Sequence, residues 1–204
     1  KTKKKLKKQN ISIMFDEAEV SLFFSPQGYA VTKGILPLIN EAKNTIDVSI
    51  FFLTHNKISK ALVKAKERGV KVRIILDATA ATNGYSKHNY LREKGIKVKV
   101  ESWGGKMHMK AAVIDNKHII VGSMNWTLAG EKKNDENTIL INNSPELGVQ
   151  LFLFFEKMWN SIPDSYLQKD PFPESIESGT SCYDLIDNDF DDIIDANEKE
   201  CLKK

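Results

Sequence analysis

Between residues 20 and 100 the spacing of apolar residues switches repeatedly between strand-like and helix-like periods, and this alternation restricts the folds open to the chain. Val20 to Phe24 reads as a short apolar strand closed by Ser25-Pro26. Residues 31 to 43 then put Ile35, Leu38, Ile39 and Ala42 at helical spacing, with Pro37 in a first turn or a kink. Thr45 to Leu53 reads as a buried strand. Ile58, Ala61, Leu62 and Ala65 recur at i, i+3, i+4 and i+7 while Lys57, Lys60, Lys64 and Arg68 face elsewhere, which predicts an amphipathic helix stopped by Gly69. Val70 to Leu76 is the next strand, Ser86 to Lys94 a helix ended by Gly95, and Ile96 to Val100 a further strand. Strands alternating with helices specify an α/β sheet with helices packed on it.

Past Trp103-Gly104-Gly105, where the chain is free to bend, Ala111 to Ile114 and Ile119 to Val121 flank a polar turn at Asp115 to His118, the pattern of a β-hairpin. Side chains alternate faces along a strand, so His108 and Lys110 point the same way and place a nucleophile beside a cation. Gly122 permits close backbone approach, and Ser123 and Asn125 offer hydrogen bonds, a set suited to a phosphoryl group. Thr127 to Glu131 is predicted as a short helix, Thr138 to Ile141 as a strand, and Leu147 to Trp159 as a helix capped by Ser144-Pro145. That last helix is apolar nearly all round, so it closes the core and offers a face to a partner surface.

The string His108, Lys110, Asp115, Gly122, Ser123, Asn125 resembles the signature of the phospholipase D superfamily, over approximately residues 20 to 160. Only one such string occurs. His55, His88 and His118 lack the lysine two residues on and read as ordinary surface or loop histidines. A chain with one motif is similar to the single-motif bacterial endonucleases and the Zucchini-type mitochondrial relatives, which pair two motifs in a homodimer. The resemblance implies a mixed sheet flanked by helices, an α-β-α sandwich, with His108 as nucleophile of one subunit and general acid and base of the other. It gives Lys110, Asn125 and Ser123 to the phosphate oxygens, and Glu136, in Asn134-Asp135-Glu136-Asn137, to an imidazole as hydrogen-bond acceptor. Asp115 matches the motif, and its chemistry suits the hairpin turn as well as a site. No catalytic metal is required, since lysine and asparagine serve as the electrophiles. Trp103 and Trp126 stand near the motif as candidates to stack on bases, although buried packing is the more common fate of tryptophan.

Charge is divided along the chain. The 204 residues carry a net +3, but the segment from Tyr166 onward holds 11 acidic and 4 basic residues, leaving residues 1 to 165 at +10. Six of those positive charges lie in a tail at Lys1, Lys3, Lys4, Lys5, Lys7 and Lys8, so the remaining body is mildly basic, compatible with a polyanionic partner. Together with the resemblance to single-motif endonucleases, this positive body makes nucleic acid, DNA and also RNA, the expected substrate. A phospholipase acting on phosphatidyl headgroups uses the same chemistry but would be expected to carry an apolar membrane-facing stretch. A noncatalytic nucleic-acid-binding module would not need His108, Lys110, Asn125 and Glu136 together. No run of 18 apolar residues occurs.

Residues 163 to 181 are rich in proline and serine and read as a linker, after a basic tail at 1 to 10 and a nuclease domain at 11 to 162. The stretch 182 to 201 places Asp187, Asp189, Asp191, Asp195 and Glu198 at positions 1, 3, 5, 9 and 12 of a calcium loop, with the Ile193 carbonyl at position 7 and Asp192 where glycine is usual. It also resembles the cysteine-flanked, Asp-rich calcium repeats of bacterial secreted proteins through Cys182, Asp184, Asp187, Asn188, Asp189 and Asp191. Structural calcium is the expected ion. Cys182 and Cys201 are the only cysteines and bracket this loop. A disulfide between them contributes about 3 kcal/mol in the loop-entropy estimate and implies a secreted or periplasmic setting, an upstream signal or anchor having been removed.

Overall fold

The computed structural model describes residues 10–15, 17–102 and 106–172, and in the C-terminal stretch residues 175, 176, 182, 183, 185, 187, 193, 194, 199, 201 and 202. Among the described residues eight strands form one sheet in the order β1-β2-β8-β7-β6-β3-β4-β5. The strands are β1 (Asn10–Phe15), β2 (Ala18–Ser25), β3 (Thr45–Ile50), β4 (Lys71–Leu76), β5 (Lys97–Val100), β6 (Lys110–Ile114), β7 (His118–Gly122) and β8 (Glu136–Asn142). Only β3, β4 and β5 run parallel, joined by the crossovers that the alternating periods predict. The other pairs are antiparallel, so the sheet is mixed, as expected.

Period-2 alternation sorts the strand residues onto two faces. Phe23, Ile46, Val48, Ile74, Val98, Ala112, Ile120 and Leu140 enter the larger core, beneath a π-helical turn at Ala30–Ile35 that continues into α1 (Leu36–Glu41), and beneath α2 (Asn56–Glu67). This turn absorbs Pro37 in the second residue of α1, where its missing N–H costs nothing. On the opposite face α6 (Pro145–Ser161) packs across β3, β6 and β7. There Phe155 and Trp159 join Ile75, Met107, Ile162 and Tyr166 in a smaller core. Among the described residues the remaining helices are α3 (Ala78–Ala81), α4 (His88–Glu93), α5 (Leu128–Lys132) and a 3-10 turn at Asp164–Leu167.

α6 closes the second core with one stripe only. Gly148, Phe155 and Trp159 are buried, whereas Leu147, Val149, Leu153 and Phe154 stay exposed. Gly148 is where the helix meets the hairpin turn, since a Cβ there would stand 2.1 Å from the Asn116 carbonyl oxygen. Ser144 occupies the cap position, but its side chain makes no capping bond; the tight seat of Gly148 and Pro145 start the helix instead. The far end is held by Lys99, buried to 2%, whose Nζ donates to the carbonyls of Trp159 (2.9 Å) and Ile162 (2.6 Å) and pairs with Asp164 (2.8 Å). Arg73 lies over the Phe155 and Trp159 rings while bonding Asp47 at 2.7 Å and Glu156 at 2.5 Å.

His55 and His88, expected at the surface, are each only 4% exposed. The Nδ1 of His55 accepts from the Ile58 N–H at the start of α2, which leaves Nε2–H to donate to Glu131 at 3.2 Å. His88 bridges Ser86 and Asp170, and Arg92 also binds Asp170, so the segment after α6 is clasped against α4. Cys182 and Cys201 form a disulfide across a separation of 19 residues. Of the expected calcium ligands, Asp187 is half-buried and Ile193 exposed, while Asp189, Asp191, Asp195 and Glu198 lie outside the described residues. Among the described residues no group of three His, Cys, Asp or Glu side chains is placed to hold a metal ion, and no helix is long and apolar enough to cross a membrane.

Candidate active site

Register gathers the motif at one edge of the sheet. Lys110 begins β6 opposite Ile50, Gly122 ends β7 opposite Thr138, and Glu136 begins β8 opposite Ser25. The first residue of one strand, the last of the next and the first of the third must share an edge, because neighbouring strands here run in opposite directions. Ser123 extends that edge. Its N–H donates to the Asn137 carbonyl at 3.1 Å, and its hydroxyl accepts from the Asn137 N–H at 3.1 Å. Gly122 makes the join possible, since a Cβ there would meet the Asn137 oxygen at 2.3 Å, so its close approach is to β8.

His108 precedes β6 and is exposed, its ring tilted against Phe51 with centroids 4.8 Å apart. The Lys110 side chain folds back beneath it. Its Nζ donates to the His108 carbonyl at 2.7 Å and sits 4.9 Å from the Phe51 ring centre. With 7% exposure, burial pushes the Lys110 ammonium below the usual lysine range, and the carboxylates of Glu136 and Asp77 work against that shift. One donor of three is committed, which leaves the ammonium able to bind an anion. Asn125 is fixed by the Phe52 N–H, which donates to its Oδ1 at 3.2 Å and thereby directs Nδ2 away as a donor.

Glu136 accepts from the Ser123 hydroxyl at 2.5 Å and from Asn134 Nδ2 at 3.2 Å. No hydrogen bond from an imidazole reaches it among the described residues, so the tautomer-setting role expected for it is not formed within one chain. Asp115 is not brought to this cluster. It lies five residues beyond Lys110, roughly 16 Å away at strand rise, and accepts from the backbone N–H groups of Lys43, Asn44 and Thr45 at 2.7–2.9 Å. Although burial opposes its charge, these three donors hold the Asp115 carboxyl below its ordinary range. Trp126 is 1% exposed, packed in the larger core and unable to stack on a base. Trp103 lies outside the described residues.

Phe51 and Asp77 belong to the site's surroundings without any signal in the motif. Phe51 comes from the end of β3, and its N–H bonds the Met109 carbonyl at 3.0 Å, so the strand that pairs with β6 also walls the histidine. Asp77 is buried to 1% and accepts from the Met107 N–H at 2.9 Å.

Residues 35–159 match the family described as "Cardiolipin synthase, PLD-like domain". A protein named phospholipase D from Rickettsia felis is 37% identical over 139 residues, covering 68% of each chain. Human mitochondrial cardiolipin hydrolase is 32% identical over 143 residues, 69% of this chain and 56% of that protein. Among solved structures, the phospholipase D family member Nuc from Salmonella typhimurium superposes with a TM-score of 0.69 at 35% identity, covering 72% of this chain and 97% of Nuc. NucT from Helicobacter pylori gives 0.67 at 27% identity, covering 72% and 98%. The matched span holds every strand from β3 to β8 and the whole edge on which His108, Lys110, Ser123, Asn125 and Glu136 meet, so the chain belongs to the phospholipase D superfamily of phosphodiester hydrolases.

Proposed function

We propose that the protein is a metal-independent endonuclease that hydrolyses DNA, and RNA as a further substrate, through a phosphohistidine formed in a homodimeric site. The observation that carries this reading is the exposed His108 with the Lys110 ammonium folded under its carbonyl, on the edge that also presents Asn125. An imidazole nitrogen of His108 attacks phosphorus, a P–N bond forms, and the P–O bond to the leaving nucleotide breaks as the partner's His108 delivers a proton. Water then attacks, giving its proton to the partner's His108 as the P–N bond breaks. Lys110 Nζ and Asn125 Nδ2 donate to the nonbridging oxygens, and Ser123 holds Glu136 beside them.

The homodimer is supported by a partly covered apolar surface. Ile13, Val20 and Ile141 form one row across β1, β2 and β8, and Leu22, Ile139 and Val121 form the next across β2, β8 and β7. Both rows lie on the face that α6 covers only in part, and Ile13 is 62% exposed. A second copy packing there buries them together with Leu153 and Phe154 of α6.

A second reading, hydrolysis of phosphatidyl headgroups, is favoured by the names of the relatives from Rickettsia felis and human. Incubation with plasmid DNA, single-stranded RNA and phospholipid vesicles separates the two. We expect cleavage of nucleic acid, abolished by His108→Asn and retained in EDTA; turnover of vesicles alone would replace the nuclease with the lipase. For the loop closed by the disulfide we propose structural calcium and an extracytoplasmic location. Calcium should raise Tm relative to EDTA in the wild type, and equal Tm values in both would remove the ion.

A further inference from the structure

We infer that Asp77 is a positioning residue for the hydrolytic site, a carboxylate clamp that sets the backbone carrying His108 and Lys110. This rests on the hydrolase reading above. Asp77 follows β4 and is absent from the motif, standing 31 residues before His108. It is 1% exposed, and each of its oxygens is engaged: Oδ1 caps α3 by accepting from the Ala80 N–H at 3.2 Å, and Oδ2 accepts from the Met107 N–H at 2.9 Å. A buried carboxylate that satisfies two backbone donors from separate segments fixes one segment against the other.

The second segment is the run into β6. Among the described residues of this run the His108 N–H bonds the Lys106 carbonyl two residues back, the Lys106 ammonium donates to Thr79 Oγ1, and the ladder to β3 starts at Met109 and Lys110. The Met107 side chain, 4% exposed, sits in the smaller core. Met107 is thus held at both its side chain and its N–H, and the next residue is the nucleophile. Because the Lys110 ammonium binds the His108 carbonyl, a shift of residue 107 reaches both reacting groups.

Asp77 also acts through charge. The groups facing the Lys110 ammonium are Glu136 from β8 and Asp77 from the end of β4, and both favour its charged form. Glu101, just past the end of β5, stands beside Asp77 with its Oε2 buried and unpartnered among the described residues, and burial together with the Asp77 charge pushes its carboxyl above the usual range.

Two substitutions separate this role from simple capping. Asp77→Asn keeps an oxygen for Ala80 but turns an NH2 toward the Met107 N–H, while Asp77→Ser supplies a good helix cap and does not reach Met107. Both should lower kcat on the substrate cleaved by the wild type by about 10- to 100-fold, the scale of a misplaced reacting group, with KM changing by less than ~3-fold because the phosphate donors remain. Both remove a negative charge facing Lys110, so the alkaline limb of the kcat profile should move to lower pH. Amide exchange at Met107 should accelerate while Val113 in β6 stays protected, which also shows that the sheet is intact. Should Asn loosen the fold, Ser, a comparable cap that turns no NH2 toward Met107, decides the matter. Wild-type kcat in Asp77→Ser, or unchanged exchange at Met107, would overturn the clamp. If the wild type cleaves none of the three substrates, the hydrolase reading fails instead, and the exchange measurement still reports on the clamp.

Discussion

The Lys110 side chain carries opposing demands, since it must stay charged to bind phosphate yet is nearly buried. Burial lowers its proton affinity, and Glu136 is the carboxylate that most offsets this. Glu136→Gln removes that support, so the Lys110 ammonium loses its proton at lower pH, and the alkaline limb of activity is expected to move down. A pH–rate series on the two proteins checks this, with an unmoved limb as the contrary result. Glutamine keeps an acceptor for Ser123, so the edge between β7 and β8 should persist. His108, Lys110, Ser123 and Asn125 were legible in the sequence because strand alternation and a two-residue hairpin turn convert fixed spacings into one edge. Asp77, Phe51 and the His55–Glu131 pair were not, because they meet their partners across 30 to 76 residues, where no local period operates. Trp126 took the commoner fate of tryptophan and packs inward, so it offers no stacking surface beside the motif.

The hairpin that bears the motif is secured at the end remote from the chemistry. Asp115 and Asn116 both take positive φ, 51° and 54°, and the Lys117 N–H closes the turn on the Ile114 carbonyl, a type I′ geometry matched to strand twist. Asp115 then joins this turn to the start of β3 through three N–H donors. Asp115→Asn leaves one oxygen acceptor and no charge, and is expected to cost about 1–3 kcal/mol at neutral pH. Its folded carboxyl titrates below the ordinary value, so the stabilisation is present above about pH 4 and fades as pH falls through the lowered value. Denaturant midpoints for wild type and variant should therefore converge in acid, and a constant gap would contradict the assignment. Most elements were visible from periodicity, including α2, β4, β5 and the hairpin. β1 was not drawn, although Ile11, Ile13 and Phe15 alternate, because it follows directly on the lysine tail. Strand β8 begins two residues earlier than its apolar run, since pairing with β2 continues through Glu136.

One chain presents one nucleophile, one partly covered apolar sheet face and a Glu136 with no imidazole partner of its own. A twofold dimer resolves all three within the proposed mechanism. Leu22→Glu with Ile139→Glu places charge in the half-buried apolar row and should convert the dimer to monomer in light scattering, with hydrolysis falling at least about 100-fold, as expected when one of two cooperating groups is removed. Full activity in a monomer would refute the shared site. The surface was foreseeable only in outline: the apolar character of α6 is plain in the sequence, but which stripe remains open depends on Gly148 seating the helix against Asn116.

The strand order adds a temporal consequence. β6 and β7 lie in the interior of the sheet, flanked by β3, delivered from the first half of the chain, and by β8, delivered near the end of the motif region. β7 and β8 follow β6 in the chain and pair as a meander, so the edge that holds His108, Ser123 and Glu136 forms from near neighbours in sequence, whereas Phe51, the Phe52 N–H and Asp77 reach it only when β3 and β4 dock. A partly folded chain therefore gathers its motif before the groups that wall and brace it, and competence for hydrolysis waits on the docking of β3 and β4.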